Sequence, residues 1–508
     1  MPVAQVNLDD QQSRRTHWLV IAGVIPFLVL AAWHWQYGPL AAFGDWAHYM
    51  LHADAIRHGK SYGDIGYIFT SENPFIGPPV QPPGLPVMLV PLLALTDGAR
   101  DGAVYKVFMV AWTLAFLGLV MLYFGRLGDR ALGVVAAAVT GLWLEVGFAT
   151  NVVQPDIPFC AIVWAAFYLA DKPGAWTWPR VAGITVLGFT ALAFRLAALP
   201  LFPALLLYAL LHRREQRVRL WIPVGSWVLC GLVAAMLVPD ALTFARLLPI
   251  DGPGLMKRVI EAAKLYPLGT FEIFLYPLPW DRANDAYHLL AVALTGVGLV
   301  AWVRDAATRL LTLFAAFYVG MLAVLPMQDG RYLMPLAPLI VYLAARGAMR
   351  VVRWFARRAR RDVSEPQARL VTAVGFTCIM VATAGRELTR PRPTVLLDVP
   401  GVPQLFERMR TLHASTPARV VFVNPRVLTW RTGMPAMGFF STSPDSTLLE
   451  LRTKAITHVI LGDLDTDPIH MESMHRAVEA RPDAFRLLYT EGPFTVYAFD
   501  AARAGTTP

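Results

Sequence analysis

The sequence is poor in charged residues. Only 16% of its 508 residues are charged, whereas soluble domains contain about 25%. The apolar residues that take their place form long runs between residue 18 and about residue 385. A helix of about 20 apolar residues is long enough to cross the hydrocarbon layer of a membrane. This composition excludes an ordinary soluble protein and predicts a polytopic integral membrane protein, surrounded by the lipid bilayer.

Cysteine is also scarce, and its positions exclude two kinds of site. Cys160, Cys230 and Cys378 each lie inside an apolar run. They have neither the spacing of a disulfide framework nor that of a zinc site, so we interpret them as packing residues. The net charge of +9 comes from short basic clusters between the apolar runs. The positive-inside rule explains this pattern, which therefore indicates topology and not a nucleic-acid partner.

The basic clusters predict the orientation of the chain. Arg14 and Arg15 precede the first apolar run, so the N-terminus is expected in the cytoplasm. The run Leu85–Thr96 is too short for an easy crossing. If this run crosses the membrane, several of the later basic clusters lie on the extracytoplasmic side. If it is instead a helix half-buried in the outer leaflet, every later basic cluster lies on the cytoplasmic side. We therefore predict a mainly α-helical transmembrane bundle of about eleven spans, with its N-terminus inside and its C-terminus outside.

Composition changes near Arg386, which divides the chain into two predicted domains. Residues 1–387 form the transmembrane domain, with interfacial helices in its first outer loop, 38–103. Residues 388–508 form a small extracytoplasmic α/β domain without a Gly-rich phosphate loop or metal-ligand spacing. Its predicted strands are Arg419–Asn424, His458–Leu461 and the hairpin pair Phe485–Tyr489 and Phe494–Phe499. Its predicted helices lie near 402–413, 446–456 and 470–480.

The first outer loop contains an unusual polar helix. The sequence from Asp45 to His58 predicts one helix that ends at Gly59. Asp45, His48, Tyr49 and His52 share one face of it, which we expect at the membrane surface. A helix that only seals the loop is the structural alternative. An acid and two histidines on one face are costly beside an apolar boundary, which favours a functional role.

Three sequence motifs occur in order along the predicted outer side. The first is an Asp that opens the loop, a Tyr four residues later, Ala-x-x-x-Gly-x-x-Tyr and a Pro-Pro before a short apolar helix. Its residues are Asp45, Tyr49, Ala55, Gly59, Tyr62, Pro82 and Pro83. The second is Gln154-Pro-Asp-Ile-Pro-Phe159, and the third is Asp329-Gly-Arg-Tyr-Leu-Met-Pro-Leu-Ala-Pro338.

Together these motifs resemble the GT-C superfamily of polyprenyl-phosphate-sugar-dependent glycosyltransferases, over residues 15 to about 345. The nearer branch contains the protein O-mannosyltransferases and the aminoarabinose transferases. The sequence departs from this pattern beside the first Asp, because Trp46 and Ala47 stand where family members often have a second acidic residue.

The resemblance implies transfer of a single sugar from a polyprenyl-phosphate carrier to an acceptor hydroxyl, with inversion, at the extracytoplasmic face. Asp45 is the candidate general base, since a carboxylate can take the proton of the attacking hydroxyl. The leaving phosphate needs positive charge and no general acid. Lys60, Arg195 and Arg331 are its candidate ligands, although Arg195 could instead snorkel and Arg331 could anchor a helix end.

The remaining candidates are expected to position groups. Asp156 would place the acceptor or the sugar, with an ordinary helix cap as its alternative. His48 and Tyr49 would orient Asp45 or bind sugar hydroxyls, with core packing as the alternative for Tyr49. Some branches of the superfamily bind a divalent cation through several acidic residues, whereas the nearer branch generally needs none. With only Asp45 and Asp156 well placed, the residues favour an enzyme without a required metal or other cofactor.

The expected partners are the polyprenyl-phosphate-sugar donor and a membrane-associated acceptor, which could be a glycolipid, a glycan or a protein. The expected location is the bacterial inner membrane, in cell-envelope glycan biosynthesis. A lipid-linked glycan polymerase or ligase stays open, because the outer loop 239–287 contains Lys257, Arg258, Lys264 and Arg282. A lipid or sugar transporter would predict inverted repeats, which the sequence lacks. A scaffold would leave the polar helix face unexplained.

Overall fold

The structure is a computed structural model and is mainly helical. It describes residues 23–33, 44–69, 81–96, 103–174, 176–212, 219, 221, 225–228, 252–274, 281–306, 309–325, 329–389, 399–439, 443–462 and 468–504. Arg14, Arg15 and Cys230 lie outside these ranges, together with parts of the predicted outer loops 38–103 and 239–287.

The elements follow the chain in this order. The helices are α1 (Gly23–Trp33), α2 (Asp45–Arg57), α3 (Gly84–Leu95), α4 (Ala103–Arg126), α5 (Arg130–Leu142), α6 (Leu144–Asn151), α7 (Asp156–Ala170), α8 (Trp178–Phe194), α9 (Leu201–His212), α10 (Gly252–Ile273), α11 (Asp281–Ala306), α12 (Leu310–Val324), α13 (Ala337–Arg358), α14 (Glu365–Thr389), α15 (Val402–Ser415), α16 (Pro425–Thr432), α17 (Pro444–Thr453) and α18 (Pro468–Ala480). The strands are β1 (Tyr67–Ile68), β2 (Val420–Val421), β3 (Ala436–Met437), β4 (His458–Gly462), β5 (Phe485–Glu491) and β6 (Phe494–Phe499).

The chain forms two compact units. The helical unit comprises residues 1–36, 106–151 and 155–391, and the α/β unit comprises residues 37–105, 152–154 and 392–508. The predicted first outer loop, 38–103, thus packs with the C-terminal part of the chain. The division into domains 1–387 and 388–508, which the sequence suggests, stays a prediction.

Among the described residues of the helical unit, three helices are long and apolar enough to cross a membrane: α4, α11 and α14. The pair α5 and α6, bent by 63°, would be a fourth as a broken span or a re-entrant loop. Other predicted crossings correspond to apolar helices of 10–17 residues, such as α7, α8 and α12. The count of eleven spans and the orientation stay predictions.

Close helix contacts in this unit depend on glycine. A Cβ atom at Gly298 of α11 would lie 1.9 Å from the Leu343 carbonyl oxygen of α13. One at Gly347 of α13 would lie equally close, 1.9 Å, to the Leu294 carbonyl oxygen. Small residues allow helix backbones to approach in this way in membranes. The buried Tyr342 hydroxyl of α13 also donates to Asp129, 2.5 Å away, which ties α13 to the start of α5.

A six-stranded sheet with the order β1-β3-β2-β4-β6-β5 organises the α/β unit. The first four strands pair in parallel, and β4, β6 and β5 pair antiparallel. The β5–β6 hairpin and the helices predicted near 402–413, 446–456 and 470–480 are present. The edge strand β1 comes from the first outer loop, where Tyr67 pairs with Ala436. The sequence pattern indicated neither β1 nor β3, which have two residues each, whereas the equally short β2 lies within the predicted strand Arg419–Asn424.

Candidate active site

Asp45 is the first residue of α2, which runs from Asp45 to Arg57, where the sequence predicts a helix from Asp45 to His58. Gly59 ends this segment with a φ of +66°, a conformation that favours glycine. The residue before Asp45 is Gly44, where a Cβ atom would lie 2.5 Å from the Asn424 side-chain oxygen. The start of α2 is therefore packed closely against the segment that precedes α16.

Arg426 of α16 donates a charged hydrogen bond to the Asp45 carboxylate. The Arg426 side chain is only 11% exposed, whereas that of Asp45 is 43% exposed. The guanidinium carbon lies 5.1 Å from the centre of the Tyr67 ring, in the geometry of a cation–π contact. No sequence pattern indicated Arg426, because 381 positions separate it from Asp45.

The rest of the polar face of α2 is buried inside the α/β unit. His48, His52 and Tyr49 are 1%, 0% and 8% exposed. These three side chains are therefore packed inside the protein and do not form an exposed polar face, and the position of the face relative to a membrane surface stays a prediction. Other parts of the same unit cover this face, namely Tyr62, Tyr67 and Phe69 of the following loop and strand.

The two histidines form a stack with a tyrosine. The His48 and His52 rings are 4.7 Å apart, and those of His52 and Tyr62 are 4.1 Å apart. His52 Nδ1 lies 2.8 Å from the Tyr62 carbonyl oxygen. A carbonyl only accepts, so Nδ1 carries the proton in this contact.

Burial keeps both imidazoles neutral near pH 7. It lowers the pKa of His52 to about 4, although the hydrogen bond to Tyr62 opposes the shift. Burial also lowers the pKa of His48 well below its usual range, and the nearby Arg426 and His52 act in the same direction. Neither ring nitrogen of His48 has a hydrogen-bond partner among the described residues. These side chains can therefore bind neutral polar groups but supply no positive charge.

Tyr49 and Lys60 point to other parts of the α/β unit. The Tyr49 hydroxyl donates to the Gln81 side chain at 2.9 Å. Lys60 follows the last turn of α2, where its backbone N–H donates a hydrogen bond to the Ala55 carbonyl oxygen at 2.9 Å. A helix of 13 residues is about 20 Å long, so the backbone of Lys60 lies far from Asp45. Lys60 instead lines a cavity of about 530 Å³, together with Asp64 and Trp430.

The helical unit contains a second charged cluster. Asp156 begins α7 directly after Pro155, and Arg195 directly follows the last residue of α8. The Arg195 guanidinium donates to the Asp156 carboxylate, with 18% and 6% of the two side chains exposed. Both candidates predicted from the sequence therefore meet in a largely buried ion pair, and Arg195 has an anionic partner.

Arg331 belongs to the same cluster. It lies in the short 3-10 helix Gly330–Leu333, and its Nε is 2.8 Å from the Asp329 carboxylate. The Arg195 and Arg331 guanidinium carbons lie 5.3 and 5.7 Å from the Tyr332 ring centre. The structure thus brings Asp156, Arg195 and Arg331 together around one tyrosine.

Two acidic residues near this cluster were not found from the sequence. Glu272 lies close to the 3-10 helix, because a Cβ atom at Gly330 would be 3.5 Å from its carboxylate. Burial raises the pKa of Glu272, and Asp329 raises it further. Glu145 is close enough to Asp329 and Arg331 to interact with both electrostatically. The available sequence signals were a single acidic residue within an apolar run, for Glu145, and an acidic residue in the predicted outer loop 239–287, for Glu272.

Among the described residues, no group of three or more His, Cys, Asp or Glu side chains is arranged to hold a metal ion. Metal independence stays a prediction of the resemblance and of the few carboxylates near Asp45.

Solved structures share this fold. Apo ArnT from Cupriavidus metallidurans matches with a TM-score of 0.56 and 14% identity, over 97% of this chain and 100% of that one. The same protein bound to undecaprenyl phosphate gives 0.51 and 14% over 97% and 100%. The apo oligosaccharyltransferase of Archaeoglobus fulgidus gives 0.54 and 11%, over 88% of this chain and 70% of that one.

No protein-family model matches the sequence, and no curated protein sequence matches it. The identities to the solved structures are low, so the likeness concerns the fold. ArnT and the oligosaccharyltransferase both belong to the GT-C superfamily. The fold that the three sequence motifs indicate is therefore confirmed: this chain has the fold of GT-C glycosyltransferases.

Proposed function

We propose that this protein is a membrane glycosyltransferase that moves a single sugar from a polyprenyl-phosphate carrier to an acceptor hydroxyl. The observation that carries the proposal is the fold likeness to ArnT over 97% of the chain. One of the ArnT structures contains undecaprenyl phosphate, a polyprenyl phosphate without its sugar. The motifs around Asp45, Asp156 and Arg331 support the same chemistry.

The reaction needs a base near the attacking hydroxyl. Asp45 is suited to this role because its side chain is 43% exposed at the first residue of a helix, while its neighbours on that helix face are buried. It would take the hydroxyl proton as the oxygen bonds to C1 and the phosphate leaves from the opposite side. A single displacement of this kind inverts the configuration at C1.

The leaving group is a phosphate ester, which departs as an anion. Arginine recognises such groups through several parallel hydrogen bonds. We assign the lipid phosphate to Arg195 and Arg331, which both lie beside Tyr332. Asp156 would hold Arg195 in place until the phosphate arrives. We propose no phosphate-binding role for Lys60, because the length of α2 separates it from Asp45.

The proposed location is the bacterial inner membrane, with the reaction on the extracytoplasmic side and no required metal. The three long apolar helices support a place in the membrane, and the basic clusters of the sequence support the orientation. The sugar and the acceptor stay open, so the test uses panels of both.

The experiment measures sugar transfer by purified protein in lipid nanodiscs. Labelled polyprenyl-phosphate sugars are supplied with glycolipid, glycan and protein acceptors, and both the product and the released polyprenyl phosphate are followed. Asp45→Asn should lower the transfer rate by about 10²–10⁴-fold, the usual contribution of a general base. The matched control is Asp54→Asn, since Asp54 lies on the same helix in an exposed pair with His58 and should leave the rate near that of the wild type.

The outcomes separate the candidate activities. Inverted configuration at C1 of the product supports the single displacement, and retained configuration excludes it. Transfer of a many-sugar chain would indicate a polymerase or ligase. If the wild-type protein releases no polyprenyl phosphate from any donor, transferase activity on this panel is excluded. If Asp45→Asn is as active as the wild type, Asp45 is not the general base.

A further inference from the structure

The C-terminal part of the chain contributes a side chain to the surroundings of Asp45. Arg426 is the second residue of α16, and its guanidinium donates to Asp45 Oδ1. Both residues belong to the α/β unit. None of the three sequence motifs includes residues beyond 338, so the motifs do not account for this contact.

Arg426 lies in a segment whose position is fixed by contacts on both sides of it. Pro425 fixes the first turn of α16, and the side chain of Asn424 packs against Gly44. Further along, strand β3 pairs in parallel with β1, and the Ala436 N–H donates to the Gly66 carbonyl at 3.1 Å. Two separate contacts thus fix the segment 424–437 against the first outer loop, on both sides of Arg426.

The side chain of Arg426 is itself restrained. It is 11% exposed, and its guanidinium lies 5.1 Å from the Tyr67 ring centre. A guanidinium is planar, and its donors have fixed directions. When it is held against a ring, it therefore fixes the position of a carboxylate oxygen that it binds.

The ion pair leaves the Asp45 carboxylate able to react. A carboxylate has two oxygens with about four acceptor positions, and the contact involves Oδ1. The side chain of Asp45 keeps 43% of its surface exposed. His48 adds no second positive charge near pH 7, because burial keeps its ring neutral. One edge of the carboxylate is thus held by a buried cation, while the side chain stays open to solvent.

We propose that Arg426 is a positioning residue for Asp45, which holds the carboxylate in the orientation that accepts the hydroxyl proton. This inference rests on the proposed glycosyltransferase function. A displacement of about 1 Å in a reacting group can reduce the rate by about 100-fold. A side chain from the C-terminal α/β fold would then control the rate of the sugar transfer by acting through Asp45.

The test compares Arg426→Gln, Arg426→Lys and a matched control. Arg408 has the same chemistry elsewhere in the α/β unit, since it pairs with Glu491 at 3.1 Å and lies 4.8 Å from the Tyr489 ring centre. Arg426→Gln should lower kcat by about 10–100-fold and leave the KM for the donor nearly unchanged. Arg426→Lys should recover part of kcat, because it keeps the charge without the planar fork. Arg408→Gln should retain wild-type kcat.

A double variant separates positioning from folding. If Arg426 acts through Asp45, then Arg426→Gln should cost no further activity in protein that already has Asp45→Asn. An equal loss in both backgrounds would overturn the inference in favour of a structural role. Gel filtration and the unfolding midpoint identify any variant that fails to fold, in which case Arg426→Lys decides the question.

The remaining outcomes are also distinct. Full kcat in Arg426→Gln, with active wild-type protein, would overturn the positioning role and leave the proposed function intact. Wild-type protein without transfer activity would overturn the proposed function, and the positioning role with it. A rise in KM at constant kcat would show that Arg426 binds substrate and does not position the base.

Discussion

Acidification from pH 7 to pH 5 should destabilise the α/β unit through His52. Its side chain is fully buried, and burial lowers its pKa from 6.5 to about 4. In the unfolded chain the ring binds a proton as the pH falls through 6.5, whereas in the folded protein it stays neutral until about pH 4. The stabilising contribution of the neutral form is therefore complete above pH 6.5, and it is lost as the pH falls from 6.5 to about 4.

The size of the effect follows from the same shift. At pH 5 the unfolded state is almost fully protonated at this site and the folded state is about one-tenth protonated, a difference that costs about 2 kcal/mol. His48 adds to it in the same direction, since its pKa is also lowered. For a unit of this size, 2 kcal/mol corresponds to a decrease of about 4–8 °C in the unfolding midpoint.

The assay is thermal unfolding at pH 7 and pH 5, followed by intrinsic fluorescence, for wild type and His52→Phe. Phenylalanine keeps a ring to stack on Tyr62, 4.1 Å from His52 in the wild type, but it cannot titrate. The wild-type midpoint should fall by about 4–8 °C more than that of the variant. His58→Phe removes a half-exposed histidine just after α2 and should respond to pH like the wild type. Equal shifts for wild type and His52→Phe would refute the reasoning.

Two further predictions concern the helical unit, and both are measured as unfolding midpoints. Gly298→Ala should destabilise the protein by about 1–3 kcal/mol, because its Cβ atom would lie 1.9 Å from the Leu343 carbonyl oxygen. The control is Gly296→Ala, whose Cβ atom would meet no atom within 4 Å. It should stabilise the protein by up to about 1 kcal/mol. Asp156→Asn should destabilise by about 3–5 kcal/mol by removing the carboxylate that Arg195 binds. Adding Arg195→Gln should recover part of that loss, since no charge is then left in the buried pair.

Each of these predictions has a contradicting result. Equal midpoints for Gly298→Ala and Gly296→Ala would mean that α11 and α13 can separate at no cost. A double variant at Asp156 and Arg195 that is less stable than both single variants would mean that the two side chains stabilise the unit independently, through contacts other than their ion pair.

Several features could be predicted from the sequence because they depend on residues close together in the chain. The helix that begins at Asp45 follows from local periodicity and a glycine at its end, and the β5–β6 hairpin follows from two apolar runs around a turn. The GT-C fold followed from three motifs in a fixed order. Strand β1 was not predicted, because it has only two residues and its partner β3 lies in the C-terminal part of the chain.

The sequence by itself predicted a membrane protein with a GT-C fold, and it placed Asp45, His48, Tyr49 and His52 on one helix face. Only the tertiary structure decided what covers that face. A helical period relates neighbours within a few turns, whereas the ion pair between Asp45 and Arg426 joins residues 381 positions apart. Burial of the two histidines depends in the same way on packing against Tyr62 and Tyr67, because desolvation is a property of the folded surroundings and not of the local sequence.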